Sequence, residues 1–202
     1  MSCLLTAGAN VNLQTRKGRT PLYILTSLQS ESRLRTLTCC KILIENGAKV
    51  NIENHNGMTP LINTFTRLNN NLNIYLAVYI ISAGGRSHLS DSFELQKFVF
   101  ALRYIPKSLH KLLFLFMFES GFQVPTLIPY LQETNGDLKR YLFMLQKTSI
   151  SLKRLAANVL RIKLVPNAWV GLKRLALPPA FDKQYIILNP MHEVALWLEE
   201  TL

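Results

Sequence analysis

Cys3, Cys39 and Cys40, with His55, His88, His110 and His192, are the side chains that could give this chain a nucleophile, a metal site or a proton carrier. Their spacing suits none of these. Cys39 and Cys40 are neighbours that point to different sides of any helix, which fits neither a disulfide framework nor a zinc site. The four histidines are scattered, and a lone histidine is far more often structural than catalytic. There is no Walker loop, Gly-x-Ser-x-Gly elbow, His-Glu-x-x-His pair or Cys-x-x-Cys. The expectation is a chain with no catalytic residue, no metal ligand and no cofactor. Its work would be recognition.

The surrounding elements must then supply surfaces. The chain has 202 residues, 49% of them hydrophobic, enough to fold around a sizeable core rather than stay disordered. The net charge is +11, which admits an acidic partner, a nucleic acid or an anionic membrane surface. No segment is a polybasic tract: nine basic residues face three acidic ones in 1–90, seven face five in 91–148, and seven face four in 149–202. Without a basic stripe interleaved with aromatics, nucleic acid is not an expected partner. The N-terminal MSCLLTAGANVN lacks the parts of a secretory signal, and the longest dense apolar run, LLFLFMF at 112–118, is too short to span a membrane. An intracellular protein with reduced thiols is expected, in the cytoplasm with the nucleus also open, and with no membrane partner.

Self-similarity organises the first half. GANVNLQTRKGRTPL at 8–22 aligns without gaps on GAKVNIENHNGMTPL at 47–61, an offset of 39. Thr20 and Thr59 are placed to cap a helix, and Pro21 and Pro60 take the first helical position, where a missing N–H costs nothing. A second helix is expected over LTCCKILIEN at 37–46, closed by Gly47 in a left-handed conformation, with Gly8 as its counterpart. Gly18 and Gly57 then serve the tight turn before each Thr-Pro-Leu.

These residues resemble the ankyrin repeat, a turn and two antiparallel helices with a Thr-Pro-Leu-His signature and a period near 33. The longer period places about six extra residues around SLQSESRLRT, and Tyr23 and Ile62 replace the family's His, so its loop hydrogen bond should be absent. A third copy shows only the end of its second helix, NIYLAVYIISAGG at 73–85, and a fourth is read in KLLFLFMFESGF at 111–122, closing on Gly121. SCLLTAGANVN reads as a second helix without its first, which leaves open whether an extension with further repeats precedes it.

SLKRLAANVLRIKL at 151–164 has a different texture. From Leu152, positions i+3, i+4, i+7 and i+8 are Leu155, Ala156, Val159 and Leu160, an amphipathic stripe with Ser151 as N-cap and Lys153, Arg154, Arg161 and Lys163 largely off it. A short helix, NAWVGLKRL at 167–175, follows Pro166, and LALPPAFDKQYIIL at 175–188 ends the module. On periodicity alone, the stripe could simply cover the last repeat.

This order resembles the SOCS box, which binds the elongin B–elongin C pair and a cullin. Ser151, Leu152, Ala156 and Leu160 fall on the elongin motif, with Ala156 where the family has Cys. Leu155 and Val159 extend that face. Leu175, Ala176, Leu177 and Pro178 align on the Leu-Pro-aliphatic-Pro cullin motif, with Ala176 for the first Pro, and Tyr185 resembles the tyrosine after that motif, displaced by one residue. Trp169 and Tyr185 are otherwise read as packing within the module.

Together the resemblances imply the ankyrin repeat and SOCS box family. The fold implied is all-α: ankyrin repeats over 1–90, degenerate ankyrin-like repeats over 91–148, a three-helix SOCS box over 149–190 and a tail over 191–202, to which no function is assigned. The function implied is the substrate-recognition subunit of an elongin–cullin ubiquitin ligase. Its partners would be elongin B–elongin C, cullin-5 with its RING-box subunit, and a protein target. The alternative is an ankyrin interaction scaffold without ligase association.

Overall fold

Each Thr-Pro pair starts a helix for the expected reason. Thr20 Oγ1 accepts from the Tyr23 N–H and Thr59 Oγ1 from the Ile62 N–H, both at 3.2 Å. These bonds satisfy a main-chain donor that the first helical turn leaves orphaned. The computed structural model describes residues 2–28, 33–65, 71–86 and 166–175, with single positions at 100, 102, 110, 113, 114, 118, 140, 143, 144, 156, 159, 160, 163 and 164.

The helices in chain order are α1 (Ser2–Thr6), α2 (Pro21–Leu25), α3 (Arg33–Glu45), α4 (Pro60–Phe65), α5 (Asn71–Ser82) and α6 (Ala168–Arg174). The described residues are all-α, with no strand among them. α3 starts four residues before the expected Leu37, so part of SLQSESRLRT is helix rather than connection. No described helix is long and apolar enough to cross a membrane.

α1, α3 and α5 end alike. Gly8, Gly47 and Gly84 take φ of 85°, 90° and 94°, and each closing pair of N–H groups reaches back to carbonyls of the last turn. For α3 the bonds are Gly47 N–H to Ile44 O at 3.0 Å and Ala48 N–H to Leu43 O at 2.9 Å, the six-to-one and five-to-two pattern of a left-handed cap.

The asparagine that follows Val in both sequence copies ties successive layers together. Asn12 donates from Nδ2 to Gly47 O at 3.1 Å and accepts from the Lys49 N–H at 2.8 Å. Asn51 does the same one layer on, donating to Gly84 O at 3.0 Å and accepting from the Arg86 N–H at 2.8 Å. One side chain thus satisfies a loop donor and a helix-end acceptor.

Inside, α5 is buried over Tyr75–Ala83, as befits a helix with apolar residues on every face, and it packs against α3 and α4. Leu22, Leu43, Ile44, Leu61, Phe65, Leu76 and Ile80 fill the space between the layers. Asn63, also buried, donates to Thr26 Oγ1 at 2.7 Å and Ser27 Oγ at 3.0 Å, so α4 is registered on the end of α2 by polar bonds as well as packing. Of the segment expected as a fourth copy, Leu113, Phe114 and Phe118 are helical and buried; Gly121 lies outside the described residues. His110 is buried too, and its Nε2–H donates to Leu102 O at 2.9 Å, a structural role.

Candidate partner-binding surfaces

The C-terminal helical region meets the stack around Asn167. Asn167 caps α6, accepting at Oδ1 from the Val170 N–H at 3.0 Å. Its Nδ2 donates to Ile44 O at 2.9 Å and to Ala48 O at 2.8 Å, at the C-terminal end of α3. The Ala168 N–H adds a bond to Ala83 O at 3.0 Å, just past α5. Asn167 and Ala168 are both buried. Every polar atom of the amide has a partner, and the carbonyls it satisfies belong to the last turn of α3 or lie just beyond it, where helical partners run out. Asn167 therefore closes two helices more than a hundred residues apart.

A second close approach fixes the segment before α6. The Leu164 N–H donates to Leu160 O at 2.9 Å, and the Leu164 side chain lies on Gly171, where a Cβ would come within 2.6 Å of Leu164 Cβ. Only glycine lets α6 pass this near. On the same helical segment Ala156 is exposed, Val159 is 57% exposed and Leu160 is half-buried, while Lys163 is exposed. Leu175, first residue of the expected cullin motif, is also exposed. Ser151, Leu152, Leu155, Ala176, Leu177, Pro178 and Tyr185 lie outside the described residues, as does the tail over 191–202, and the Trp169 side chain is likewise not described.

Two matching turns stand at the other edge of the stack. In the first, Thr15 N–H donates to Arg19 O at 3.0 Å, Gly18 N–H to Thr15 O at 2.8 Å, and Thr15 Oγ1 accepts from the Lys17 and Arg19 N–H groups. In the second, Asn54 N–H donates to Met58 O at 3.0 Å, Gly57 N–H to Asn54 O at 3.0 Å, and Asn54 Oδ1 accepts from the Asn56 and Met58 N–H groups. His55 N–H joins the two turns by donating to Lys17 O at 3.2 Å. Tyr23 and Ile62, the residues that follow each Thr-Pro-Leu, are buried, and the Arg19 guanidinium lies over the Tyr23 ring, 5.7 Å from its centroid.

The thiols behave as their neighbours dictate. Cys40 is fully buried and Cys39 half-buried. Burial pushes the Cys40 thiol up to about 12 from an ordinary 9.0, and a charge on Cys39 would push the same way. Burial likewise raises Tyr79 to about 12, with Cys40 and Glu45 adding to it. Among the described residues no cluster of His, Cys, Asp and Glu could hold a metal ion.

A pH dependence results. Between the ordinary thiol value of 9.0 and about 12, the unfolded chain gives up the Cys40 proton while the folded chain keeps it. Stability is therefore intact below that window and falls as pH rises through it, by up to roughly 4 kcal/mol from this thiol. Urea midpoints measured from neutral pH upward should decline above about pH 9, and Cys40→Ala should shallow that decline. A thiol reagent at neutral pH should label Cys39 well before Cys40.

No family model matches the chain, and neither a curated protein nor a solved structure matches it.

Proposed function

We propose that this chain is the target-recognition subunit of an elongin B–elongin C–cullin ubiquitin ligase. In this reading ankyrin-type repeats over 1–90, with degenerate repeats over 91–148, hold the target, and a SOCS box over 149–190 engages elongin C. The observation that supports it most is the exposure of Ala156 and Val159 on a helical segment whose neighbour, α6, is anchored to the stack. α6 has found its cover within the chain, and those two stripe positions have not.

A helix seated in a foreign groove gains most of its affinity from a few buried anchors. Leu152 is the anchor that the motif supplies, and Leu155, Leu160 and the shallower Ala156 complete the contact. Leu175, Leu177, Pro178 and Tyr185 would then face cullin-5, whose RING-box subunit brings the charged conjugating enzyme. The chain's own part is to raise the local concentration of a target lysine, a gain from proximity rather than from any catalytic group. Such a ligase would act in the cytoplasm, with the nucleus also open.

Burying Leu152 is worth about 1.5–3 kcal/mol, and a carboxylate in its place adds a desolvation penalty. Leu152→Asp is expected to abolish co-purification of elongin C with the full chain while leaving its thermal unfolding unchanged. Undiminished co-purification would overturn the assignment. A non-ligase scaffold is the second reading, favoured by the Asn167 anchor, which gives α6 a structural task of its own. On that reading the unsubstituted chain captures no elongin C.

A further inference from the structure

The first turn carries Arg16, Lys17 and Arg19 where the second carries His55, Asn56 and Met58. Both turns close with equivalent main-chain bonds, and in both a side chain at the first position accepts from the same two N–H groups. The second turn is an internal control: the geometry is built there without a Lys or Arg. Folding therefore does not account for three cations in four residues.

Nothing in the described structure neutralises them. Lys41 with Glu45, on α3, is the only ion pair among the described residues. Arg16 and Lys17 are exposed, and Arg19 Nε is buried without a hydrogen-bond partner among the described residues, a deficit that folded proteins rarely leave in place. The turn's backbone is already fixed from both sides, by Gln14 Nε2 donating to Gly18 O at 2.8 Å and by His55 N–H donating to Lys17 O. A ligand meeting it would lose little free energy to ordering the loop. Beside it on and just after α2, Ile24 and Leu28 stand four positions apart with 38% and 47% of their surface exposed.

We propose that this turn and the adjoining edge of α2 dock an acidic segment of a partner protein, its carboxylates meeting Arg16, Lys17 and Arg19 and an apolar residue covering Ile24 and Leu28. Arginine suits this task because its planar fork pairs two N–H groups with one carboxylate. A nucleic acid fits less well. It needs cations along a track and an aromatic face for its bases, whereas the next turn has no Lys or Arg at its tip and the Tyr23 ring is buried beneath Arg19. The proposal rests on the repeats being the target-holding part, and it is independent of elongin C.

Fluorescence anisotropy of the full chain with a labelled peptide of alternating Glu, Ser and Leu tests it, with the Gln-for-Glu peptide as control. Single-stranded DNA of equal charge serves as the competing probe. The variant Arg16→His/Lys17→Asn/Arg19→Met gives the first turn the residues of the second, whose compatibility with the turn is already visible. Arg16→His/Lys17→Asn leaves Arg19 on its ring, should the triple exchange disturb folding. The acidic peptide is expected to bind, the Gln peptide to bind at least about tenfold more weakly, and each variant to lose about tenfold or more with its elongin C co-purification unchanged. Equal binding by the variants, or no binding by the unsubstituted chain, would overturn the proposal. Tighter binding of the DNA, lost in the same variants, would replace a protein partner by a nucleic acid. Loss of elongin C capture alone bears on the ligase reading and leaves this one standing.

Discussion

Asn167→Asp is expected to release α6 from the stack. The exchange keeps the side chain's shape and keeps the oxygen that accepts from the Val170 N–H, so the cap of α6 survives. It replaces the amide donor with a second carboxylate oxygen facing Ile44 O and Ala48 O, which now repel it. The site is buried, so water cannot make good the loss. An unpaired charge left in such a place costs about 3–5 kcal/mol, and the loss of the donor to Ala48 O adds to the same side, while Ile44 O keeps the Gly47 N–H. Asn167→Ala should cost less, about 1–3 kcal/mol, because it takes the donor from Ala48 O without adding a charge. Amide exchange provides the readout. The Ala168 N–H, bonded to Ala83 O, should exchange much faster in both variants, and faster in Asp than in Ala, while the amides of α4 remain protected. Unchanged protection at Ala168 in Asn167→Asp would show that packing of α6, not the amide, holds it.

Gly18→Ala and Gly57→Ala should differ sharply although the two glycines occupy corresponding places at nearly the same φ, 72° and 71°. Both substitutions force an L-residue into the left-handed region, at about 1–2 kcal/mol. At Gly57 that is the whole cost, since an added Cβ meets nothing within 4 Å. At Gly18 the methyl would lie 2.8 Å from the His55 main-chain nitrogen and 2.7 Å from His55 Cδ2. The imidazole can swing away; the backbone cannot move without breaking the Lys17–His55 bond that joins the turns. Gly18→Ala is thus expected to destabilise by about 3 kcal/mol or more, and Gly57→Ala by about 1–2 kcal/mol. Urea denaturation of the two single variants measures the difference. Equal losses would mean that the turns separate at little cost, and the rigid docking surface inferred for Arg16, Lys17 and Arg19 would lose its basis.

The helix starts at Pro21 and Pro60 and the glycine closures at 8 and 47 were legible because caps are local. A threonine oxygen, a proline ring and a missing Cβ act on their own turn, whatever the rest of the chain does. The start of α3 at Arg33 was missed, although Ser32 just before it is a residue type that caps helices, because the apolar run that drew attention begins only at Leu37. Asn12 and Asn51 were visible as shared residues in the two copies, but their task, reaching a glycine carbonyl one layer on, depends on distances that sequence spacing does not encode. Of the candidate elongin surface, the 3.6-residue period suggests a stripe over Leu152–Leu160; whether the chain itself covers a stripe is a tertiary question, and of its described positions Ala156 and Val159 are exposed and Leu160 is half-buried.

Sequence alone set where α2 and α4 begin, where α1 and α3 close, which turns repeat, and which residue types carry charge, because each of these is decided within a few residues by sterics, orphaned N–H groups and composition. Tertiary structure alone decided that Asn167, by sequence only the first residue of a short helix, caps α6 and also closes α3, that Gly18 is crowded while Gly57 is open, and that Cys40 is inert while Cys39 is accessible. These depend on which distant backbone lies within about 3 Å of a given atom, and hydrogen bonding, steric contact and desolvation all take their strength from that proximity.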